Sequence, residues 1–107
     1  MYGQAIAKIQ QYRDTYLPAM HTVYPKYEFD TRSYARWAAD EIIDRLIEED
    51  AKLPPYITGR NAPTVVEIIN DFIGELEYYF SISGDQRRQE MFNVAKNTAK
   101  YILHIFL

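Results

Sequence analysis

Apolar and polar positions along this chain recur with the period of an α-helix, most plainly between Thr64 and Leu107. Val65, Val66, Ile68, Ile69, Phe72, Ile73, Leu76, Tyr79 and Phe80 fall on one face of a helix, while Glu67, Asn70, Asp71, Gly74, Glu75 and Glu77 fill the other. Thr64 and Glu67 have the spacing of a capping box at its start, and Pro63 with Ile68 fits a hydrophobic staple. Ser83-Gly84-Asp85 is predicted to stop this helix and cap the next, with Gly84 supplying a left-handed stop and Asp85 the new N-cap.

The following helix has a broader apolar set: Met91, Phe92, Val94, Ala95, Ala99, Tyr101, Ile102, Leu103, Ile105 and Phe106. An arc of about 200° is more than one neighbouring helix covers, so two neighbours in the same chain or a second chain should meet it. An earlier helix is predicted from Asp30 or Thr31 to about Ala51, with Ala35, Ala38, Ala39, Ile42, Ile43, Leu46 and Ile47 inward. A first helix runs from about Gln4 to Leu17 and presents Ala5, Ile6, Ile9, Tyr12, Tyr16 and Leu17, with Pro18 ending or kinking it. Two longer connections remain, residues 18–30 and 52–63; the second contains Pro54-Pro55-Tyr56 and Gly59. No segment alternates with the period of a strand. The expected fold is all-α: a single-domain four-helix bundle over residues 1–107, with a C-terminal helical hairpin.

Composition agrees with a globular chain, since 48% of residues are hydrophobic and 25% charged. With no cysteine there is no disulfide framework and no thiolate metal site. The first residues lack the apolar core of a signal peptide, and no apolar run reaches the ~20 residues of a membrane span. A cytoplasmic protein without membrane contact is the expectation. Charge is unevenly placed: residues 40–77 hold ten carboxylates against three bases, a net of −7, and the remainder holds five against nine, a net of +4. Such a split fits complementary rims within the fold, or one side that meets a cationic partner.

Asp40, Asp44 and Glu48 step by four along one helix, as do Glu67, Asp71 and Glu75 along another, and carboxylates so spaced could hold Mg²⁺. All-α nucleoside triphosphate pyrophosphohydrolases bind metal through Glu-x-x-Glu and Glu-x-x-Asp pairs. Here only Glu41-x-x-Asp44 has a comparable step, and both stripes lie opposite the apolar faces, so they are expected to point outward as solvated surfaces. His21 and His104 have no Glu-x-x-His or Arg–His companion and are expected at the surface. No catalytic, cofactor-binding or metal-ligating residue is assigned.

Tyr12, Tyr16, Tyr24, Tyr27, Phe29, Tyr34 and Trp37 crowd one stretch together with Arg13, Lys26, Arg32 and Arg36. Rings and cations are the ingredients of single-strand nucleic-acid binding. Asp14, Glu28 and Asp30 offset the bases, however, and a net charge of −3 speaks against nucleic acid. The stretch is expected to drape over the bundle. Trp37 falls on the acidic side of its helix, where either the 18–30 connection covers it or it anchors a partner.

Asp71-Phe72, Tyr78-Tyr79-Phe80, Phe92-Asn93-Val94-Ala95 and Tyr101-Ile102-Leu103 resemble small uncharacterised helical proteins of Gram-positive bacteria and their mobile elements. That resemblance covers under half the chain, is carried by packing residues, and implies a helical fold with no activity attached. The reading is a non-enzymatic helical interaction module without a cofactor, acting as a homodimer or with another protein partner. Trp37, Tyr34, Tyr27 and Phe106 are its candidate partner-binding residues. A metal-dependent all-α nucleotide pyrophosphohydrolase and a nucleic-acid or mobile-element accessory protein are the alternatives.

Overall fold

The computed structural model describes residues 2–18, 28–52 and 62–107, the side chains of 28–32 excepted. Four α-helices occur among the described residues: α1 over Gly3–Gln11, α2 over Glu28–Lys52, α3 over Val65–Ile82 and α4 over Gln86–Ile105. They form an all-α bundle that ends in the α3–α4 hairpin, and no strand occurs among the described residues. Tyr27, His21 and Pro54-Pro55-Tyr56 lie outside the described residues.

Helix α4 is the centre of the bundle, packing extensively against both α2 and α3. Its inward face is made of Ala95, Thr98, Ala99 and Ile102, all buried. Small side chains there let the neighbouring backbones come close, and Ala35, Ala38 and Ala39 do the same on α2. Ile42, Leu46, Ile69, Phe72 and Leu76 fill the space between. Thr98, a polar residue in this core, satisfies its hydroxyl by donating to the Val94 carbonyl at 2.9 Å. Ile47, expected in the core, is instead 52% exposed, at the edge of the α2 apolar stripe.

The hydroxyl half of the predicted capping box is present: Thr64 is extended, and its hydroxyl accepts from the Glu67 N–H at 3.1 Å, without the return bond from the Thr64 N–H to the Glu67 carboxylate. The stop between α3 and α4 differs from expectation. Gly84 does not take the left-handed conformation; Ser83 ends the helix by going extended. Side chains take over the C-cap's work. Ser83 donates its hydroxyl to the Tyr79 carbonyl at 2.7 Å, Ser81 donates to Tyr78, and Gln89 reaches back to donate to the Ser83 carbonyl at 2.7 Å. Asp85 caps α4 as expected, accepting from the Arg87 N–H.

The first helix does not run unbroken to Leu17. After Gln11 it widens into a π-turn over Tyr12–Tyr16, where the Leu17 N–H donates five residues back to Tyr12. Thr15 donates its hydroxyl to the Gln11 carbonyl at 2.6 Å, which gives that acceptor a side-chain partner at the point where the ladder shifts. Helix α2 starts at Glu28, two residues before the predicted cap; neither Pro nor Gly occurs between Pro25 and Lys52 to stop it.

Tyr2 fastens α1 to the rest: its N–H donates to Asp50 and its hydroxyl donates to the Pro63 carbonyl at 2.6 Å. Burial, with Glu49, Asp50 and Glu67 nearby, raises the pKa of Tyr2. Burial also raises that of Tyr12, whose hydroxyl oxygen is enclosed without a hydrogen-bond partner. At the other end of α1, the Lys8 ammonium lies 6.0 Å from the centroid of the Phe106 ring.

Thr64→Ala should lower stability by about 1 kcal/mol in urea or thermal unfolding, because the Glu67 N–H loses its acceptor. Tyr12→Phe should raise stability by about 1 kcal/mol near neutral pH, since it removes a hydroxyl that folding strips of water without compensation. The folded chain holds the Tyr2 and Tyr12 protons to higher pH than the unfolded chain does. Their contribution is therefore complete below the ordinary tyrosine value of about 10 and is lost as pH rises beyond it. Alkaline unfolding monitored by circular dichroism should move to higher pH in Tyr12→Phe.

Candidate functional site

Between α2 and α3 the two helices meet along a shallower seam than either makes with α4. One concavity of about 360 Å³ there is lined by Glu41, Arg45, Glu48, Glu49 and Lys52 of α2 and by Pro63, Ile68 and Asp71. A second, more open one of about 530 Å³ is lined by Asp71, Gly74, Glu75, Tyr78 and Tyr79 of α3. Asp71 belongs to both. Together they make a groove with five carboxylates and two cations.

Arg45 organises the centre of this groove. Its guanidinium lies 4.7 Å from the centroid of Phe72 and bridges to Glu75 on α3 at 2.5 Å. Glu41, one turn back on α2, is 3.6 Å from the Arg45 Nε; that is too long for a hydrogen bond and leaves this buried nitrogen without one. Glu48 and Asp71 have no cationic partner among the described residues, whereas Glu49 is paired with Lys52 at 3.3 Å. The acidic stripes are solvated as expected, with Asp44, Glu48, Glu67, Asp71 and Glu75 exposed, but they are not wholly separate. Glu48 and Asp71 line a common concavity because α2 and α3 pack flank to flank, and a wheel drawn for one helix contains no neighbour.

Phe72 is nearly fully buried, yet two surface groups rest on it. Besides Arg45, the Trp37 ring stands 5.8 Å away at 59°. Trp37 is 42% exposed. The 18–30 connection, expected to cover it, lies mostly outside the described residues; the described neighbour of the indole is on α3. Tyr34, a turn earlier, is half-buried.

Phe106 does not join these residues. It is half-buried at the far end of α4, packed on the core, with Lys8 over its ring. The wide apolar arc of α4 is met within the chain by α2 and α3, with Tyr16 against the Tyr101 ring and Lys8 over Phe106, and Tyr101, Ile105 and Leu107 stay exposed. The aromatic stretch of the sequence also divides. Tyr12 stacks on Tyr16 at 5.1 Å and Tyr16 lies 6.0 Å from Tyr101 of α4, whereas the Trp37 ring meets Phe72 of α3. Arg13 spends its charge on Asp14 at 2.9 Å and on Asp40 at 2.7 Å, and the paired guanidinium holds the Asp14 carboxyl below its ordinary range.

Sequence reasoning missed Arg45, Gly74 and Tyr78. A signal for each was present. Arg45 is the only base between Asp40 and Ala51, and Asp71, Gly74, Glu75 and Tyr78 have the i, i+3, i+4, i+7 spacing of one helical stripe. Gly74 costs α3 about 1 kcal/mol relative to alanine. Among the described residues no neighbour requires it, for a Cβ there would meet none of their atoms within 4 Å outside its own stretch of helix.

Comparison of the chain with protein-family models, with curated proteins and with solved structures finds no match. No group of three or more His, Cys, Asp or Glu side chains positioned to hold a metal occurs among the described residues, and no helix there is long and apolar enough to cross a membrane.

With Glu41 and Glu75 drawn to Arg45 and Asp40 to Arg13, the acids of α2 and α3 are spread over separate partners. Calorimetric titration with Mg²⁺ or Mn²⁺ should show no saturable micromolar site. Asp71→Asn should leave that result unchanged.

Proposed function

We propose that this chain is a non-enzymatic interaction module whose working surface is the α2/α3 face around Trp37. The observation that carries the proposal is the state of the only tryptophan in the chain: its ring is seated on Phe72, the same ring that carries Arg45 of the acidic groove, yet 42% of it is open to solvent. A half-seated indole is pre-oriented, so little side-chain freedom is lost when a partner covers the rest, and tryptophan is enriched among residues that dominate binding energy. The groove's carboxylates would add steering and selectivity for a basic partner. They favour a protein over a nucleic acid, whose phosphates they would repel.

A second reading, self-association, is supported by the end of α4, where Ile105 and Leu107 are 39% and 75% exposed. Burying such side chains against a twin is worth roughly 1.5–3 kcal/mol each.

The two readings separate in one set of measurements. A protein recovered from the native host with the tagged chain, then purified, should bind the wild type and Leu107→Glu alike. It should bind Trp37→Glu at least about tenfold more weakly by calorimetry. Sedimentation equilibrium at tens of micromolar should give a species near 12.6 kDa. Twice that mass, reduced to one by Leu107→Glu and unaffected by Trp37→Glu, would favour the self-associating reading instead.

A further inference from the structure

We propose that the groove is built to receive a cationic amphipathic helix of a partner protein, laid across α3 at Gly74. This inference rests on the α2/α3 face being the working surface and specifies what occupies it.

Three observations define the occupant. The first is shape. Asp71, Gly74, Glu75 and Tyr78 form one outward stripe of α3, and Gly74 lies in its middle with open space where a Cβ would stand. A mid-helix glycine that no neighbour among the described residues requires leaves a notch in which a second helix can approach backbone to backbone. The second is charge. Asp71 and Glu48 have no cationic partner among the described residues, and the groove holds five carboxylates against Arg45 and Lys52. Lysine or arginine side chains one turn apart on an incoming helix would meet Asp71, beside the notch, and Glu48, in the concavity that adjoins it at Asp71.

The third observation is that the chain already shows this chemistry on itself. Arg45 lays its guanidinium over Phe72 and pairs with Glu75, so an arginine fits between ring and carboxylate on this face. Tyr78, which lines the groove, and Trp37, seated on the same Phe72 ring as Arg45, stand exposed and offer apolar contact to the other side of an amphipathic helix. An extended peptide would gain little here, because no strand edge is present among the described residues of this face to bond its backbone.

The test uses the full chain and three synthetic peptides of about eighteen residues. One is a helix-forming peptide with leucines on one face and lysine and arginine on the flanks. The second has the same leucines with glutamate at every basic position. The third is the first with two central prolines to prevent a helix. Fluorescence of Trp37, the only tryptophan of the chain, reports occupancy at physiological salt. Saturable binding of the first peptide is expected, at least about tenfold tighter than either of the others and weakening as salt rises.

Gly74→Leu should raise the melting temperature while weakening the first peptide at least about tenfold, an effect opposite in sign to a general loss of structure. Asp71→Lys should weaken it similarly. Equal binding of all three peptides, undiminished binding to Gly74→Leu, or no binding of the first peptide would overturn the assignment. If a host protein still depends on Trp37 while the cationic peptide fails, the occupant is wrong and the surface stands; if neither depends on Trp37, the surface itself is wrong.

Discussion

The arrangement of this bundle depends on the two-sided burial of α4. Ala95 and Ala99 present almost no side chain toward their neighbours, and Ala35, Ala38 and Ala39 answer them from α2. Where alanine faces alanine, helices can close on one another, and the larger residues beside them, such as Ile102, Ile42 and Leu46, are fully enclosed as a result. With α4 as the shared partner, α2 and α3 are held side by side and touch each other less closely. The groove between them follows from that central packing.

Phe72 connects the core to this surface. It belongs to the buried cluster, yet its ring supports Trp37 and the Arg45 guanidinium. The arginine does more there than form an ion pair, since a partly exposed pair contributes little to stability by itself. Set among Glu41, Glu75 and Asp71, it relieves repulsion between acids of two helices and lets them lie side by side. The acidic character of the groove is therefore compatible with a stable seam.

Elsewhere the fold accepts a small local cost. The π-turn after α1 stacks Tyr12 on Tyr16 and sends Arg13 to Asp40 of α2, while the Tyr12 hydroxyl is left enclosed without a partner. At the opposite end of α1, Tyr2 is bonded to Asp50 and Pro63. The short first helix is thus held by polar contacts at both ends, and its buried apolar side chains are only Ala5 and Ile9.

Much of the fold was legible in the sequence because it is set by local rules. The period of apolar positions in α3, the Thr64 cap and the Asp85 cap concern residues within a turn of one another, and each is found where it was read. The end of α3 was misread because serine hydroxyls and Gln89 satisfy carbonyls that a left-handed glycine would otherwise serve. The candidate site was legible only in part. Trp37 stood out as a large ring on a polar face, but its neighbour Phe72 is thirty-five residues away in sequence. Which helix flanks meet, which acids an arginine neutralises and which apolar arc is already covered are properties of helix-to-helix placement, decided by long-range packing that no single-helix pattern encodes.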